Sequence, residues 1–121
     1  MKKILIILAI LAAAASGPRA AFDKTVHDFG KVTLKDGALS CTFTVTNEGD
    51  DDLLIESVVS SCGCTDVKWT RTAIGPGESG TIEATYSNDE GPYPFDKTLT
   101  VYTSDKERPS VLHIRGTVRK K

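Results

Sequence analysis

Cys62 and Cys64 are the residues of this sequence whose type and spacing could do chemistry. Only Gly63 separates them, and two thiols so close can form a disulfide or exchange with another thiol. In a fully extended chain their Cα atoms would lie roughly 6.6–7.2 Å apart, at or beyond the usual limit for a disulfide. A positive φ at Gly63 would tighten the turn and bring the sulfurs together, in a small strained ring that is easily reduced. A thiol-redox role with an exported partner is therefore one hypothesis.

The simpler interpretation of these thiols is structural. Residues 61–65 are predicted to form a loop whose cysteines are packed, bonded to each other, or bonded to Cys41. Cys41 lies on the apolar face of a predicted strand, which is typical of a small buried hydrophobic residue. Because the chain has three cysteines, at least one has no partner within the chain.

Metal binding and catalysis have weaker support. Structural zinc sites commonly place two to four residues between paired cysteines, and only His27 and His113 could add imidazoles. Neither histidine is accompanied by a recognisable nucleophile turn. The acidic run at residues 50–52 lacks the spacing of a calcium loop. We therefore predict no metal site, no cofactor and no catalytic residue.

The N-terminal residues decide which part of the chain folds. Lys2 and Lys3 precede an uninterrupted apolar run over residues 4–15, and small residues and a proline follow at residues 16–18. This order predicts a secretory signal over residues 1–20, cleaved between residues 15 and 20. The run is shorter than the roughly 20 apolar residues of a membrane-spanning helix, so no transmembrane anchor is expected in the mature chain. The protein is predicted to be exported, to the periplasm or outside the cell.

The remaining residues, 21–121, match one domain of ordinary size. The formal net charge of the whole chain is -1, so no global field attracts nucleic acid. The basic cluster at residues 119–121 is interpreted as a solvated chain end.

Apolar residues in this domain recur with period two between glycine, proline, asparagine and aspartate, which is typical of antiparallel strands. Residues 39–47 show it most clearly, because Leu39 and alternate residues after it are apolar while serine and threonine stand between them. Other strands are predicted near residues 26–32, 53–59, 82–86, 95–101 and 112–118. With about seven strands and about 100 residues, the pattern predicts an all-β immunoglobulin-like antiparallel sandwich.

Two local features qualify this pattern. The parity of apolar positions shifts between Ile55 and Val58, which predicts a bulge or a break near Glu56 and Ser57. Trp69 is interpreted as a core or capping aromatic residue.

Several segments together carry a family resemblance. They are Val26-His27-Asp28-Phe29-Gly30-Lys31-Val32, residues 43–49 and 53–55, Ser61-Cys62-Gly63-Cys64-Thr65, and residues 74–80, 95–101 and 114–118. In this order they resemble the bacterial family called domain of unknown function 1573, over nearly all of the mature chain. The resemblance implies an exported immunoglobulin-like domain, related to those of the abnormal-spindle and hydin type, without an established enzymatic activity. Thr103-Ser104 stands where Ser-Asn is common in the family, and Cys41 where other side chains are usual.

The sequence thus predicts a non-enzymatic binding or structural module of the cell envelope. Its partner is predicted to be a protein, contacted through sheet edges or end loops, because edge strands can pair with an extended segment. The alternative is a thiol-redox or metal-handling protein that uses Cys62, Gly63 and Cys64.

Overall fold

The computed structural model describes residues 17–106 and 109–120. In these residues the chain forms eight strands and one turn of 3-10 helix at Leu34–Asp36. The strands are β1 (Ala20–Phe22), β2 (Val26–Thr33), β3 (Leu39–Asn47), β4 (Ile55–Ser60), β5 (Thr65–Trp69), β6 (Ser79–Tyr86), β7 (Pro94–Thr103) and β8 (Ser110–Arg119).

The strands form two four-stranded sheets that pack face to face. The first sheet has the order β1, β3, β6, β5 and the second has the order β2, β8, β7, β4. This confirms the predicted all-β sandwich. The described residues contain eight strands, rather than about seven. The six ranges given from the sequence do not include the short strand β1 or the strand β5.

Alternation along β3 and β6 builds the core. Phe43 on β3 lies directly opposite Ile82 on β6, and neither side chain is exposed. The residues between them along each strand, such as Thr42 and Glu83, face solvent. Period-two burial of this kind removes the apolar side chains from water while the polar residues remain hydrated.

The prediction that all strands are antiparallel is wrong for one pair. Strand β2 runs parallel to β8, with Val26 opposite His113 and Val32 opposite Val118. The chain leaves the first sheet after Phe22 and joins the second sheet at Val26, so β2 enters beside the last strand in the same direction. Gly30, at a φ of 74°, lies where the register of this pair shifts.

The irregularity predicted in β4 is confirmed. The register between β4 and β7 shifts between Ile55 and Ser57, as a β-bulge does. Ile55 and Val58 are both buried as a result, although their spacing would place them on opposite faces of a regular strand.

Asn47 fixes the turn that follows β3. Its side chain is fully buried, and its Nδ2 donates hydrogen bonds to the carbonyl oxygens of Asp51 and Ile74. Its Oδ1 accepts hydrogen bonds from the N–H groups of Arg19 and Gly49. These four hydrogen bonds offset the cost of removing the amide from water, and they hold three chain segments together.

Most of the predicted secretory signal lies outside the described residues, so its cleavage stays a prediction. Strand β1 begins at Ala20, the last of the predicted cleavage positions. No helix within residues 17–106 and 109–120 is long and apolar enough to cross a membrane.

Candidate functional site

Residues 61–64 form the turn that carries the chain from β4 in the second sheet to β5 in the first sheet. Ser60 stabilises the beginning of this turn. Its hydroxyl donates a hydrogen bond to the Cys62 carbonyl oxygen at 2.8 Å and accepts one from the Cys62 N–H at 3.1 Å. The Thr65 N–H donates to the same carbonyl oxygen at 3.2 Å. The Cys64 carbonyl oxygen accepts from the Ser87 N–H at 2.9 Å, which ties the turn to the end of β6.

Cys62 and Cys64 are joined by a disulfide. Among the alternatives left open by the sequence, they are therefore bonded to each other and not to Cys41. Their Cα atoms lie 5.1 Å apart, well inside the extended distance of roughly 6.6–7.2 Å. The turn alone brings the sulfurs within bonding reach.

The turn does not use the positive φ that was considered for Gly63 from the sequence. Gly63 is not among the glycines in the left-handed region, and a Cβ built on it would meet no heavy atom within 4 Å. The turn closes through the hydrogen bonds of Ser60 and Thr65 rather than through glycine geometry. Gly63 is exposed, so the outer side of the turn faces solvent.

Glu90 is the neighbour of this turn that sequence reasoning missed. One of its carboxylate oxygens, Oε2, lies 3.7 Å from the Sγ of Cys62. Its other oxygen, Oε1, accepts a hydrogen bond from the Tyr86 hydroxyl at 2.7 Å and pairs with Lys97 Nζ at 3.1 Å. The hydrogen bond from Tyr86, followed by the contact with Lys97, lowers the pKa of Glu90.

Tyr86 holds the Glu90 carboxylate from the core side. Its ring is only 2% exposed and stacks on Phe95, with 4.0 Å between the ring centroids. Burial, followed by the hydrogen bond to Glu90, raises the pKa of the Tyr86 hydroxyl. The hydroxyl therefore stays protonated at neutral pH and donates a hydrogen bond to Glu90.

The third cysteine lies away from this site. Cys41 is a free thiol on the inner face of β3, only 8% exposed. Burial raises its pKa to about 11, so the thiol is neutral and poorly nucleophilic at physiological pH. The prediction that Cys41 is a buried hydrophobic residue is confirmed.

The histidines lie elsewhere in the fold. His113 is on β8 with its Nδ1 2.9 Å from a carboxylate oxygen of Asp96. His27 is on β2, where burial, followed by the charge of Lys24, lowers its pKa. Neither belongs to the cluster of Cys62, Cys64 and Glu90, whose ligand atoms all lie within 4.8 Å of one another.

Trp69 ends β5 on the inner face of the first sheet, opposite Ile82. It packs against the core, and the guanidinium of Arg71 lies 3.9 Å from its ring centroid. The interpretation of Trp69 as a core or capping aromatic residue is confirmed.

Comparison with family models matches residues 20–118 to a family described as protein of unknown function DUF1573. The chain belongs to this family. The matched range contains the turn at residues 61–64 and also Glu90 with its partners Tyr86 and Lys97. Comparison with curated protein sequences gives no match.

Solved structures share the fold of this DUF1573 domain. A protein of unknown function from Porphyromonas gingivalis W83 is 19% identical with a TM-score of 0.72, over 86% of this chain and 48% of that chain. The Vibrio cholerae VesB protease is 19% identical with a TM-score of 0.63, over 92% and 34%. A family 123 glycoside hydrolase from Clostridium perfringens is 7% identical with a TM-score of 0.69, over 88% and 28%.

The chain thus spans about half or less of the length of these similar structures. At such identities the likeness concerns the fold alone.

Proposed function

We propose that this chain is an exported, non-enzymatic binding module of the cell envelope. It binds an extended segment of a protein partner along the free edge of β4. The observation that carries the proposal is that β4 combines an unpaired edge with an uncharged sequence over residues 57–60.

The sandwich has four terminal strands, and three of them are protected against strand addition. Strand β1 is only three residues long. Strand β2 is interrupted at Gly30, where its register shifts. Strand β5 presents two exposed charged residues, Asp66 and Lys68. Short length, bulges and charge are the features that keep sheet edges from pairing with other chains.

Strand β4 has such protection only at its start, where the bulge lies beside Glu56. From Ser57 to Ser60 its residues carry no charge, and Val59 is 54% exposed. This segment is long enough to form several main-chain hydrogen bonds with an added strand, which is how strand addition gains affinity.

The hydrogen bonds of the sheet show which main-chain groups are free. The Ser61 N–H donates to the Thr98 carbonyl oxygen on β7 at 2.9 Å. Donors alternate sides along a strand, so the N–H groups of Val59 and Ser61 face β7 and those of Val58 and Ser60 face away from it. Two donors of β4 therefore point out of the sandwich, toward an added strand.

The outer face of the second sheet extends this edge. Val59 and Val111 lie on either side of Thr100, and Tyr102 follows on the same face of β7. Val59, Val111 and Tyr102 are 54%, 47% and 41% exposed. Side chains of an added strand that point to this face would lie next to Val59, so apolar residues at alternate positions of the partner are favoured.

Substitutions at Ser60 test the proposal. Ser60→Pro removes an outward N–H that β7 does not use, and proline is tolerated at edge positions of this kind. Ser60→Ala removes the hydroxyl bonds to Cys62 but keeps the N–H, so it is the matched control. A photoreactive residue at position 59, with position 68 on the edge of β5 as the control site, reports contact in the organism that encodes the chain.

The proposal predicts a discrete protein adduct from position 59 in the wild-type and Ser60→Ala backgrounds, and its loss in Ser60→Pro. Circular dichroism would show that both variants fold. An adduct that persists in folded Ser60→Pro, or that forms equally from position 68, would overturn binding at the edge of β4.

A further inference from the structure

We propose that reduction of the Cys62–Cys64 disulfide opens a zinc site made by the two thiolates and the carboxylate of Glu90. This inference is independent of binding at the edge of β4. It rests on the arrangement of Glu90, whose position beside the thiols the sequence does not reveal.

The Glu90 carboxylate is oriented through one oxygen, Oε1, and its second oxygen, Oε2, is available to bind a metal ion. Both of its neighbouring donors, the Tyr86 hydroxyl and the Lys97 ammonium, contact Oε1. The other oxygen, Oε2, faces the Sγ of Cys62 at 3.7 Å. Carboxylate ligands of metal ions are commonly fixed by such hydrogen bonds from outside the first coordination shell.

The support behind the carboxylate is rigid. The Tyr86 ring is buried and stacked on Phe95, so its hydroxyl has a defined position. The turn on the other side is fixed by the bonds of Ser60 and by the Ser87 N–H donated to Cys64. The carboxylate and the cysteine turn are therefore each held in place by contacts with the sandwich.

The donor set selects the ion. Two sulfurs and one oxygen suit Zn²⁺, which binds thiolates at about 2.3 Å and carboxylates at about 2.0–2.2 Å. Calcium and magnesium prefer oxygen ligands alone, and copper(I) prefers sulfur. Three protein ligands leave a fourth position open, and exposed Gly63 leaves the turn accessible to an ion from solvent.

The charges of the loaded site balance. Two thiolates and one carboxylate carry three negative charges, Zn²⁺ carries two positive charges, and Lys97 supplies one more through its contact with Glu90. Cys62 and Cys64 are half-buried and Glu90 is exposed. A neutral assembly avoids leaving an uncompensated charge on the half-buried sulfurs. Lys97 contacts Oε1, whereas Oε2 is the oxygen beside the Cys62 sulfur, so Lys97 does not occupy the proposed ligand position.

Zinc binding requires a reductant, because the two cysteines are joined by a disulfide. A dithiol donates two electrons to the Cys62–Cys64 bond, which breaks to give two thiols, while the dithiol becomes a disulfide. Zn²⁺ then displaces both thiol protons and binds the two thiolates. The sulfurs separate to roughly 3.8 Å, the spacing that two thiolates take on one tetrahedral zinc ion.

Titration of the purified chain with Zn²⁺ tests the site, after reduction by a phosphine that is then removed under anaerobic conditions. We expect one Zn²⁺ per reduced chain and no binding to the oxidised chain. Co²⁺ in place of Zn²⁺ should give a thiolate-to-metal charge-transfer band. The double variant Cys62→Ser with Cys64→Ser retains Cys41 and should lose both signals, which shows that Cys41 is not the ligand.

Glu90→Gln distinguishes a site with three protein ligands from a simple pair of thiols. It should weaken Zn²⁺ binding about tenfold or more, whereas Asp89→Asn, which removes the same charge one residue away, should change it less than about twofold. Tyr86→Phe keeps the ring and removes the hydroxyl that orients Glu90, so it should weaken binding by about tenfold. Circular dichroism of each reduced variant would show that it is folded.

Equal affinities for Glu90→Gln and Asp89→Asn would overturn the assignment of Glu90. Binding to the oxidised chain with the same affinity, or no binding to a folded reduced chain, would overturn the site altogether. Neither result bears on the adducts formed at position 59.

Discussion

At the scale of single residues, the three thiols of this chain have different environments. Cys62 and Cys64 form a half-buried disulfide in a turn, whereas Cys41 is a reduced thiol inside the core. A thiol reacts with alkylating reagents through its thiolate, so accessibility and pKa together set its rate.

Alkylation of the folded chain should therefore label no thiol rapidly before reduction and two after reduction. At neutral pH, Cys41 should be labelled rapidly only after unfolding. Because burial raises the pKa of Cys41 to about 11, its slow labelling in the native state should accelerate as the pH rises toward that value. Mass spectrometry after timed alkylation measures this, and rapid labelling of Cys41 at neutral pH would mean that β3 is not packed as described.

Substitution by alanine should change the free energy of unfolding by different amounts at two glycines, Gly63 and Gly116. Gly63→Ala should change the free energy of unfolding by no more than about 1 kcal/mol, since the site is open and its φ is not positive. Gly116→Ala should cost about 1–3 kcal/mol, because its Cβ would lie 3.0 Å from the ring of Phe95. Urea unfolding of both variants measures the difference. A large loss in Gly63→Ala would show that the turn needs glycine.

The site could be predicted only in part from these residues. The sequence identifies Cys62 and Cys64 because only Gly63 separates them. Glu90 follows Cys64 only after two further strands, β5 and β6, and comes within 3.7 Å of the Cys62 sulfur only in the folded chain, where Tyr86 at the end of β6 holds it. The positive φ considered for Gly63 is not needed, because hydrogen bonds of the backbone and of Ser60 shorten the turn. Acidic residues in a surface connection carry no local signal of such a contact.

At the scale of elements, β3 contributes the centre of the core. Phe43→Ala should cost about 3–5 kcal/mol, because Phe43 is fully buried opposite Ile82 and its removal leaves a cavity. Thr42→Ala, on the exposed face of the same strand, is the control and should cost less than about 1 kcal/mol. If urea unfolding gave similar small losses for both, Phe43 would not be a core residue.

Strands with clear alternation of apolar and polar residues could be predicted from the sequence, whereas β1 and β5 were not predicted. Strand β5 does alternate, with Thr65, Val67 and Trp69 inward. It is short and begins inside the loop predicted over residues 61–65, and no element is predicted from the sequence for the residues after that loop. Strand β1 is too short for a period to be recognised. The parallel pairing of β2 depends on where the chain crosses between sheets, which residue periodicity does not encode.

At the scale of the whole molecule, export is a prediction from residues 1–20. The charged start, the apolar run and the small residues after it predict cleavage between residues 15 and 20. Protein recovered from the periplasm or the medium should therefore lack these residues. Mass measurement or N-terminal sequencing of that protein decides it, and retention of Met1 would contradict the prediction.

The fold and the family identify the architecture of the chain but no activity. Membership in DUF1573 and the likeness to other sandwiches establish the architecture, and immunoglobulin-like frameworks serve many unrelated activities. The proposed function rests on the contrast between the edges at β1, β2 and β5, which are short, interrupted or charged, and the uncharged edge at β4.

Amide hydrogen exchange along β4 tests this claim most directly. In the free chain, the N–H groups of Val58 and Ser60 should exchange much faster than those of Val59 and Ser61, because only the latter pair faces β7. When the partner captured at position 59 is bound, Val58 and Ser60 should become protected. Unchanged exchange at Val58 and Ser60, with new protection confined to other strands, would contradict strand addition at β4.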